Sequence, residues 1–439
     1  MKKKLYIETY GCQMNVADSE VVASILSDEY VICTDEKEAD VILVNTCAIR
    51  ENAEQKVLKR IQELNVLYRK KQEKVKLGLI GCMAERFSTQ LLKEDKVDII
   101  AGPDAYRSLP ILLDENEKDN VNTVLSTVET YDDIIPIRYA SNGVAAFVSI
   151  MRGCNNFCSY CVVPYTRGRE RSRDPKTIMH DIEILIEKAY KEVTFLGQNV
   201  NSYIWENDYR FHHLMEDVAR LNQNLRIRFA TSHPKDLSDN LLKIMAAYPN
   251  ICKSIHLPAQ SGSNQVLQKM NRKYTREWYL ERVDAIKKYM PEATISTDLI
   301  AGFCGETEKD HQATLSLMQT VAYDYAFMFK YSERSGTFAA KQLKDDVAEE
   351  VKTRRLEEII AVQRNSSHKS NLADIGKTFE VLIEGHSKRS ADFYFARNSQ
   401  NKVIVFPKTK HTIGDYVNVK VESCTAATLF GKAVEEKTI

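Results

Sequence analysis

The sequence predicts a mixed α/β protein in three units: a small parallel α/β domain, a partial (β/α)6 barrel and a C-terminal all-β, OB-like barrel. Three observations carry this expectation. Residues 1–118 alternate β-rich runs with helical windows. Residues 140–371 repeat that alternation through six units without a break. Residues 372–439 hold short strands separated by Gly, Pro and Asn turns. Residues 119–139 are polar and irregular and read as a linker.

In the first unit, Leu5–Tyr10, Val41–Val44 and Val75–Ile80 are rich in β-branched, aromatic and aliphatic residues, as buried parallel strands require. Asp18–Leu26 and Asn52–Tyr68 read as helices, the second apolar at Val57, Leu58, Ile61, Leu64 and Leu67. In the second unit the strand-like runs are Ala146–Ile150, Val193–Leu196, Ile227–Thr231, Ser254–Leu257, Thr294–Ile300 and Tyr325–Tyr331. Helical windows such as Thr177–Tyr190 and Asp310–Val321 separate them. A closed barrel of this kind needs eight units, so six predict an incomplete one. Val347–Asn371 reads as a charged exit helix. In the last unit, Lys377–Glu384, Phe393–Arg397, Lys402–Phe406 and Tyr416–Glu422 fit a five-stranded Greek-key barrel.

Composition narrows the function. Among 439 residues, Lys+Arg and Asp+Glu both number 61, so any nucleic-acid surface is a local patch rather than a global field. With 44% apolar residues, disorder of the whole chain is excluded. The basic start MKKKLYIETYGC is interrupted by Glu8, too early for a signal peptide, and the longest clean apolar run, Val144–Met151, is far short of a membrane span. The expectation is a cytoplasmic protein with no membrane partner. Its ten cysteines then sit in a reducing compartment, where metal binding or catalysis outranks disulfides.

Six of the ten fall into two sets. Cys154, Cys158 and Cys161 form C-x3-C-x2-C directly after the first barrel strand, where parallel-sheet proteins place their chemistry. Chance would give that spacing about 0.005 times in such a chain. Three thiolates so close can hold three irons of one cluster and leave the fourth open. A zinc knuckle is the alternative, but no fourth Cys or His lies nearby in sequence. Cys12, Cys47 and Cys82 each follow a predicted strand, 35 residues apart. Strand ends in a parallel sheet meet at one crevice, so this trio either converges on one metal site or forms three ordinary buried thiols. Gly11 and Gly81 favour convergence by allowing close backbone approach. Cys33, Cys252, Cys304 and Cys424 have no partners at metal spacing.

These residues carry a resemblance. C-x3-C-x2-C with Tyr160 before its last cysteine resembles the radical S-adenosylmethionine (SAM) signature. Cys12, Cys47 and Cys82, in the contexts TYGCQMNVADSE, VNTCAIR and GLIGCMAE, resemble the amino-terminal domain of methylthiotransferases, and the C-terminal unit resembles an RNA-binding TRAM domain. TYGCQMN, CVVPYTRGRE, TSHP and LPAQSGS are similar to the MiaB branch, the tRNA-2-methylthio-N(6)-dimethylallyladenosine synthases.

The resemblance implies two [4Fe-4S] clusters and SAM as cofactors. Cys154, Cys158 and Cys161 would hold the cluster that cleaves SAM to methionine and a 5′-deoxyadenosyl radical. Cys12, Cys47 and Cys82 would hold an auxiliary cluster carrying the sulfur. One SAM would methylate that sulfur and a second would supply the radical. The radical would take hydrogen from C2 of N6-isopentenyladenosine next to the anticodon, giving the 2-methylthio derivative. An aromatic C–H has no useful acidity, so a radical cofactor must carry such a step. The implied partners are the tRNA anticodon stem-loop and an electron donor such as flavodoxin or ferredoxin, with the chain acting as a monomer. A single-stranded loop base enters a pocket without the cost of unpairing.

By the same resemblance, Gly197, Gln198, Asn199, Gln260, Ser261, Ser296 and Asp298, with Tyr160, would line the SAM pocket. Gly302–Glu308 looks like the run near adenine, with Cys304 where the family usually has Pro. Other residues stay open. Arg167, Arg169, Arg171 and Arg173 would meet RNA phosphates or SAM, or else form a solvated loop with Glu170 and Asp174 as counter-charges. His233 and His256 end barrel strands but are left outside the catalytic set. Lys388, Arg389, Arg397, Lys402, Lys408 and Lys410 interleave with Phe393, Tyr394, Phe395 and Phe406, a composition suited to single-stranded RNA. Two rival functions remain: a methylthiotransferase acting on threonylcarbamoyl-adenosine tRNA or a ribosomal-protein aspartate, and a non-catalytic RNA-binding metalloprotein.

Overall fold

Short β-branched runs form the first sheet in the computed structural model, which describes residues 2–47, 51–68, 75–84, 96–114 and 120–434. Its strands are β1 (Lys3–Thr9), β2 (Tyr30–Ile32), β3 (Val41–Thr46), β4 (Lys76–Gly81), β5 (Ile99–Ala101) and β6 (Val121–Asn122). They pair in the order β2-β1-β3-β4-β5-β6, all parallel. The central strand VILVNT is buried at every position, because helices Gln13–Ile25 and Glu51–Tyr68 bury apolar side chains in the cores on its two sides. The sequence pattern predicts β1, β3 and β4. It does not reveal β2, β5 and β6, which are too short to show a period.

Residues 120–139 of the expected linker (119–139) are instead stitched to this domain. They supply β6, and Tyr131 is 2% exposed, stacked on Tyr106 at 5.6 Å between ring centres. Polar composition hides one buried anchor.

The second unit contains β7 (Ala145–Ser149), β8 (Met151–Arg152), β9 (Arg171–Ser172), β10 (Glu192–Leu196), β11 (Ile204–Trp205), β12 (Tyr209–Arg210), β13 (Arg226–Phe229), β14 (Ser254–His256), β15 (Thr294–Ala301) and β16 (Tyr325–Lys330). Two parallel three-stranded sheets, β13-β10-β7 and β14-β15-β16, meet through a bridge between Ile227 and Ile251. One continuous core fills both halves. This is the expected six-stranded partial barrel. β8 and β9 form a short antiparallel ribbon that closes the cysteine loop at its base.

The third unit is a closed five-stranded barrel of β17 (Thr378–Ser387), β18 (Ser390–Asn398), β19 (Val403–Pro407), β20 (Tyr416–Cys424) and β21 (Leu429–Ala433). It docks under the N-terminal ends of the larger barrel's strands. Glu192, the first residue of β10, accepts from Arg228 and from Arg397, each at 2.8 Å, and Tyr416 donates to the Lys191 carbonyl at 2.9 Å. The opposite, C-terminal mouth faces the first domain. There Met14 and Ala17, from helix Gln13–Ile25, pack on Leu196, Phe147 and Ala230. Among the described residues, no helix is long and apolar enough to cross a membrane.

Candidate functional site

The parallel register explains the first cysteine trio. β1, β3 and β4 are adjacent, with Thr9 opposite Asn45 and Thr46 opposite Gly81, so their C-terminal ends stand level. Cys47 and Cys82 follow β3 and β4 directly, and Cys12 follows β1 after Tyr10 and Gly11. Gly11 adopts φ +127°, and a side chain there would collide with the Cys47 Cβ. Gly81, at φ +90°, similarly abuts Asn45 and Thr46. Asn15 ties the ends together: it donates to Asn45 Oδ1 at 3.0 Å and the Thr46 carbonyl at 2.9 Å, and accepts from Cys12 Sγ at 3.2 Å. Hydrogen bonding with Cys47, helped by the Arg167 guanidinium, pushes the Cys12 thiol down to about 6. Burial holds the Cys82 thiol above its ordinary value despite Arg167.

The second trio sits on the loop between β8 and β9. Gly153, at φ +78°, meets the Arg169 backbone so closely that no side chain fits. The loop is pinned where Ser159 N–H donates to the Met270 carbonyl at 3.0 Å and its hydroxyl to Lys269 at 2.8 Å. Burial and neighbouring Cys158 push the Cys161 thiol up to about 12, and burial pushes Cys154 up to about 11. Arg272 is fully buried and donates to Cys158 Sγ at 3.3 Å, Tyr160 Oη at 3.4 Å and the Pro258 carbonyl at 2.8 Å. Sequence reasoning misses Arg272 because it lies 114 residues from Cys158 with no spacing signal.

The donor sets suit iron–sulfur clusters. A single tetrahedral zinc brings its sulfurs within about 3.8 Å of one another. Among the described residues, the one metal-donor group as tight as 4.8 Å is Glu308, His311 and Glu358, and Arg354 already bridges its two carboxylates. The cysteine trios are therefore more open than one ion needs. Each trio also has a buried arginine on one sulfur, Arg167 on Cys82 and Arg272 on Cys158, as anionic clusters require. The loop that carries one trio touches the other: Cys82 packs on Val162, the residue after Cys161.

Three of the four arginines at 167–173 match neither expectation drawn from the sequence. Arg167, Arg171 and Arg173 are buried, and each is paired with a carboxylate. Arg167 donates to Asp18 at 2.8 Å, Arg171 to Asp104 at 2.8 Å and Arg173 to Asp181 at 2.7 Å. The first two pairs, with Arg152–Asp18 at 2.8 Å, join the first domain to the barrel. Only Arg169 is exposed, over the Phe157 ring. Alternation along the sequence cannot reveal acids supplied by another domain.

The expected SAM residues fall around the barrel mouth. Gln198 accepts from the Gly153 N–H beside Cys154, and Gly197 lies so close to Met151 that a side chain would clash. Asn199 donates to Asp236 at 2.7 Å, while its buried Oδ1 has no partner among the described residues. Gln260, at φ 67°, bridges to the end of β15. Ser261 is committed to Thr314, at 3.3 Å. Tyr160 packs edge-on against Phe303. Ser296 and Asp298 both reach His256, at 3.0 and 3.4 Å, so a residue left outside the set holds two members of it. His233 is buried with Nε2 unpartnered among the described residues. Cys252 and Cys304 are buried, and Cys33 and Cys424 half-buried, all free.

In the C-terminal barrel the basic set divides. Arg397 and Lys402 are already engaged: Arg397 holds Glu192 of the larger barrel and Glu384 of its own, and Lys402 holds Asp374 at 2.6 Å and Ser370 of the preceding helix at 2.7 Å. Tyr394 and Phe406 fill the core. Lys388, Arg389, Phe393, Lys408 and Lys410 remain exposed.

Comparison with known proteins agrees with this geometry. Residues 4–102 match the family described as "Uncharacterized protein family UPF0004", residues 148–318 the radical SAM superfamily and residues 373–434 the TRAM domain. The chain is 55% identical to a tRNA-2-methylthio-N(6)-dimethylallyladenosine synthase of Phocaeicola vulgatus, over 98% of this chain and 96% of the relative. It is 54% identical to that of Porphyromonas gingivalis, over 100% and 96%. Among solved structures it resembles the radical S-adenosylmethionine methyltransferase TsrM from Kitasatospora setae, with TM-score 0.53, 13% identity and coverage of 74% of this chain and 73% of that one. At that identity the likeness speaks to the fold.

Proposed function

The chain belongs to the tRNA-2-methylthio-N(6)-dimethylallyladenosine synthase family of radical SAM enzymes, and we propose that its two cysteine trios divide the reaction between them. The activity is that of a tRNA methylthiotransferase, which converts N6-isopentenyladenosine next to the anticodon to its 2-methylthio derivative. Cys154, Cys158 and Cys161 hold the [4Fe-4S] cluster that binds SAM; Cys12, Cys47 and Cys82 hold a second, auxiliary one. When bound, the first supplies reductive cleavage of SAM and the second the sulfur.

The observation that carries this division is the contact of Cys82 with Val162, which sets one trio against the loop of the other. A carbon radical reacts with whatever lies beside it, so donor and acceptor must share one water-poor chamber. The chain's own residues build that chamber. Met14 and Ala17 seal the first domain onto the barrel mouth, and the Asp18 and Asp104 ion pairs lock it there. Arg272 holds Cys158 and Tyr160 in place, and Gln198 steadies the loop at Gly153. Gly197, Asn199, Gln260, Ser261, Ser296 and Asp298 form the rim against which SAM is held, with His256 fixing Ser296 and Asp298.

The tRNA is met by the exposed Lys388, Arg389, Phe393, Lys408 and Lys410 of the TRAM domain. The electron donor is a small redox protein such as flavodoxin or ferredoxin, and the working unit is a monomer in the cytoplasm. The experiment is iron and sulfide quantification after anaerobic reconstitution, followed by nucleoside mass spectrometry of isopentenylated tRNA. Two cubane clusters predict about eight irons per chain and a 2-methylthio product. Zinc in place of iron, or product only on threonylcarbamoyl-adenosine tRNA, would reject the reading.

A further inference from the structure

The boundary between the first domain and the barrel buries unequal charge. Three guanidinium groups, Arg152, Arg167 and Arg171, face two carboxylates, Asp18 and Asp104. All five side chains are at most 4% exposed. Arg173–Asp181 and Arg138–Glu20 are balanced pairs nearby and do not change the count. Counting guanidinium and carboxylate groups alone, one positive charge is left over for the cysteine sulfurs to offset, and an unbalanced buried charge is costly.

Arg167 marks where the surplus lies. Its Nε donates to Cys82 Sγ at 3.1 Å and its Nη2 to Asp18 at 2.8 Å, while Nη1 is buried with no partner among the described residues. Three thiolates around an oxidised four-iron core sum to one negative charge, which equals the surplus. Reduction by one electron, or an added anionic sulfur ligand, makes the cluster more negative and strengthens its attraction to a fixed cation.

Resting on the auxiliary-cluster reading above, we propose that Arg167 is the positioning and tuning residue of that cluster: it donates through Nε to the Cys82 thiolate and through Nη1 to a sulfur of the bound cluster, and its charge favours the reduced, sulfur-loaded form. Hydrogen bonds and charge at cluster sulfurs set the potential of such centres. Asp18 serves by fixing the guanidinium, and it lies in the second turn of the helix Gln13–Ile25, whose N-cap is Cys12. The cluster's potential thereby depends on the two domains being docked.

The test isolates the auxiliary cluster in a Cys154→Ala, Cys158→Ala, Cys161→Ala chain reconstituted anaerobically with iron and sulfide. About four irons per chain and an EPR signal on reduction show that the cluster itself is present. No cluster in that background overturns the reading on which the inference rests, and the inference with it. Mediated redox titration then compares Arg167 with Arg167→Gln and Arg167→Lys. The expected result is at least a tenfold loss in the reduction equilibrium for Arg167→Gln, a shift of about 59 mV downward for a one-electron couple, with Arg167→Lys in between. A purely structural role moves thermal stability and leaves the potential of the loaded protein alone. Full iron with an unchanged potential in Arg167→Gln would therefore overturn the inference. Should Arg167→Gln not hold iron, Arg167→Lys decides: a downward shift supports the assignment and an unchanged potential overturns it.

Discussion

Arg272 donates to the Cys158 sulfur at 3.3 Å, across 114 residues of chain, and so ties the loop that carries Cys154, Cys158 and Cys161 to the far half of the barrel. The same guanidinium holds the Pro258 carbonyl and both Tyr160 and Tyr274. Replacing it with Ala strands several buried acceptors at once, and hydrogen bonds to charged groups contribute about 1.5–3 kcal/mol each. Arg272→Ala is expected to lower 5′-deoxyadenosine formation from SAM at least tenfold, measured by chromatography with iron content in parallel. Wild-type cleavage in that variant would show that Cys158 needs no such support.

Gly81 has no room for a side chain beside Asn45 and Thr46, and it precedes Cys82. Gly81→Ala should disturb the auxiliary trio and spare the other. Iron is expected to fall from about eight to about four per chain, with SAM cleavage retained and methylthio product lost. A matching loss of SAM cleavage would contradict the division of labour.

Glu192 locks the TRAM domain to the barrel. Burial alone would raise its carboxyl, but Arg228 and Arg397 hold it below the usual carboxylate range. A depressed folded value contributes stability above the unfolded pKa, about 4.3, that is lost as pH falls through the folded value. Glu192→Gln is expected to cost about 3–5 kcal/mol at neutral pH, because two guanidinium groups lose their partner. Thermal melts across pH should show the gap between variant and wild type closing in acid. A gap independent of pH would reject this account.

The exposed and docked basic residues of the TRAM domain should behave differently. Lys408→Ala with Lys410→Ala is expected to weaken tRNA binding and to reduce the salt slope of log K by about 1–2, as phosphate contacts are lost. Arg397→Ala should lower the melting temperature and leave that slope alone. Fluorescence anisotropy at several salt concentrations separates the two.

Much of the fold and both cysteine trios are legible in the sequence. Strand-ending cysteines spaced 35 apart translate directly into level ends of β1, β3 and β4, because a parallel βαβ repeat preserves register. The six barrel strands follow from hydrophobic alternation, and the charged exit helix forms over Glu349–Leu372. What the sequence hides depends on partners distant along the chain. Arg167 and Arg171 look like a solvated basic loop until Asp18 and Asp104 arrive from another domain. Arg397 and Lys402 look like RNA contacts until Glu192 and Asp374 claim them. His256 gives no local sign that it bridges Ser296 and Asp298. A charge run states its composition and not its neighbours.

The division of chemistry between the trios is tested most directly by Cys47→Ala, assayed anaerobically with SAM, a low-potential reductant and isopentenylated tRNA. The variant should still cleave SAM to 5′-deoxyadenosine while forming no 2-methylthio nucleoside by mass spectrometry. Continued formation of the 2-methylthio nucleoside by Cys47→Ala would contradict it.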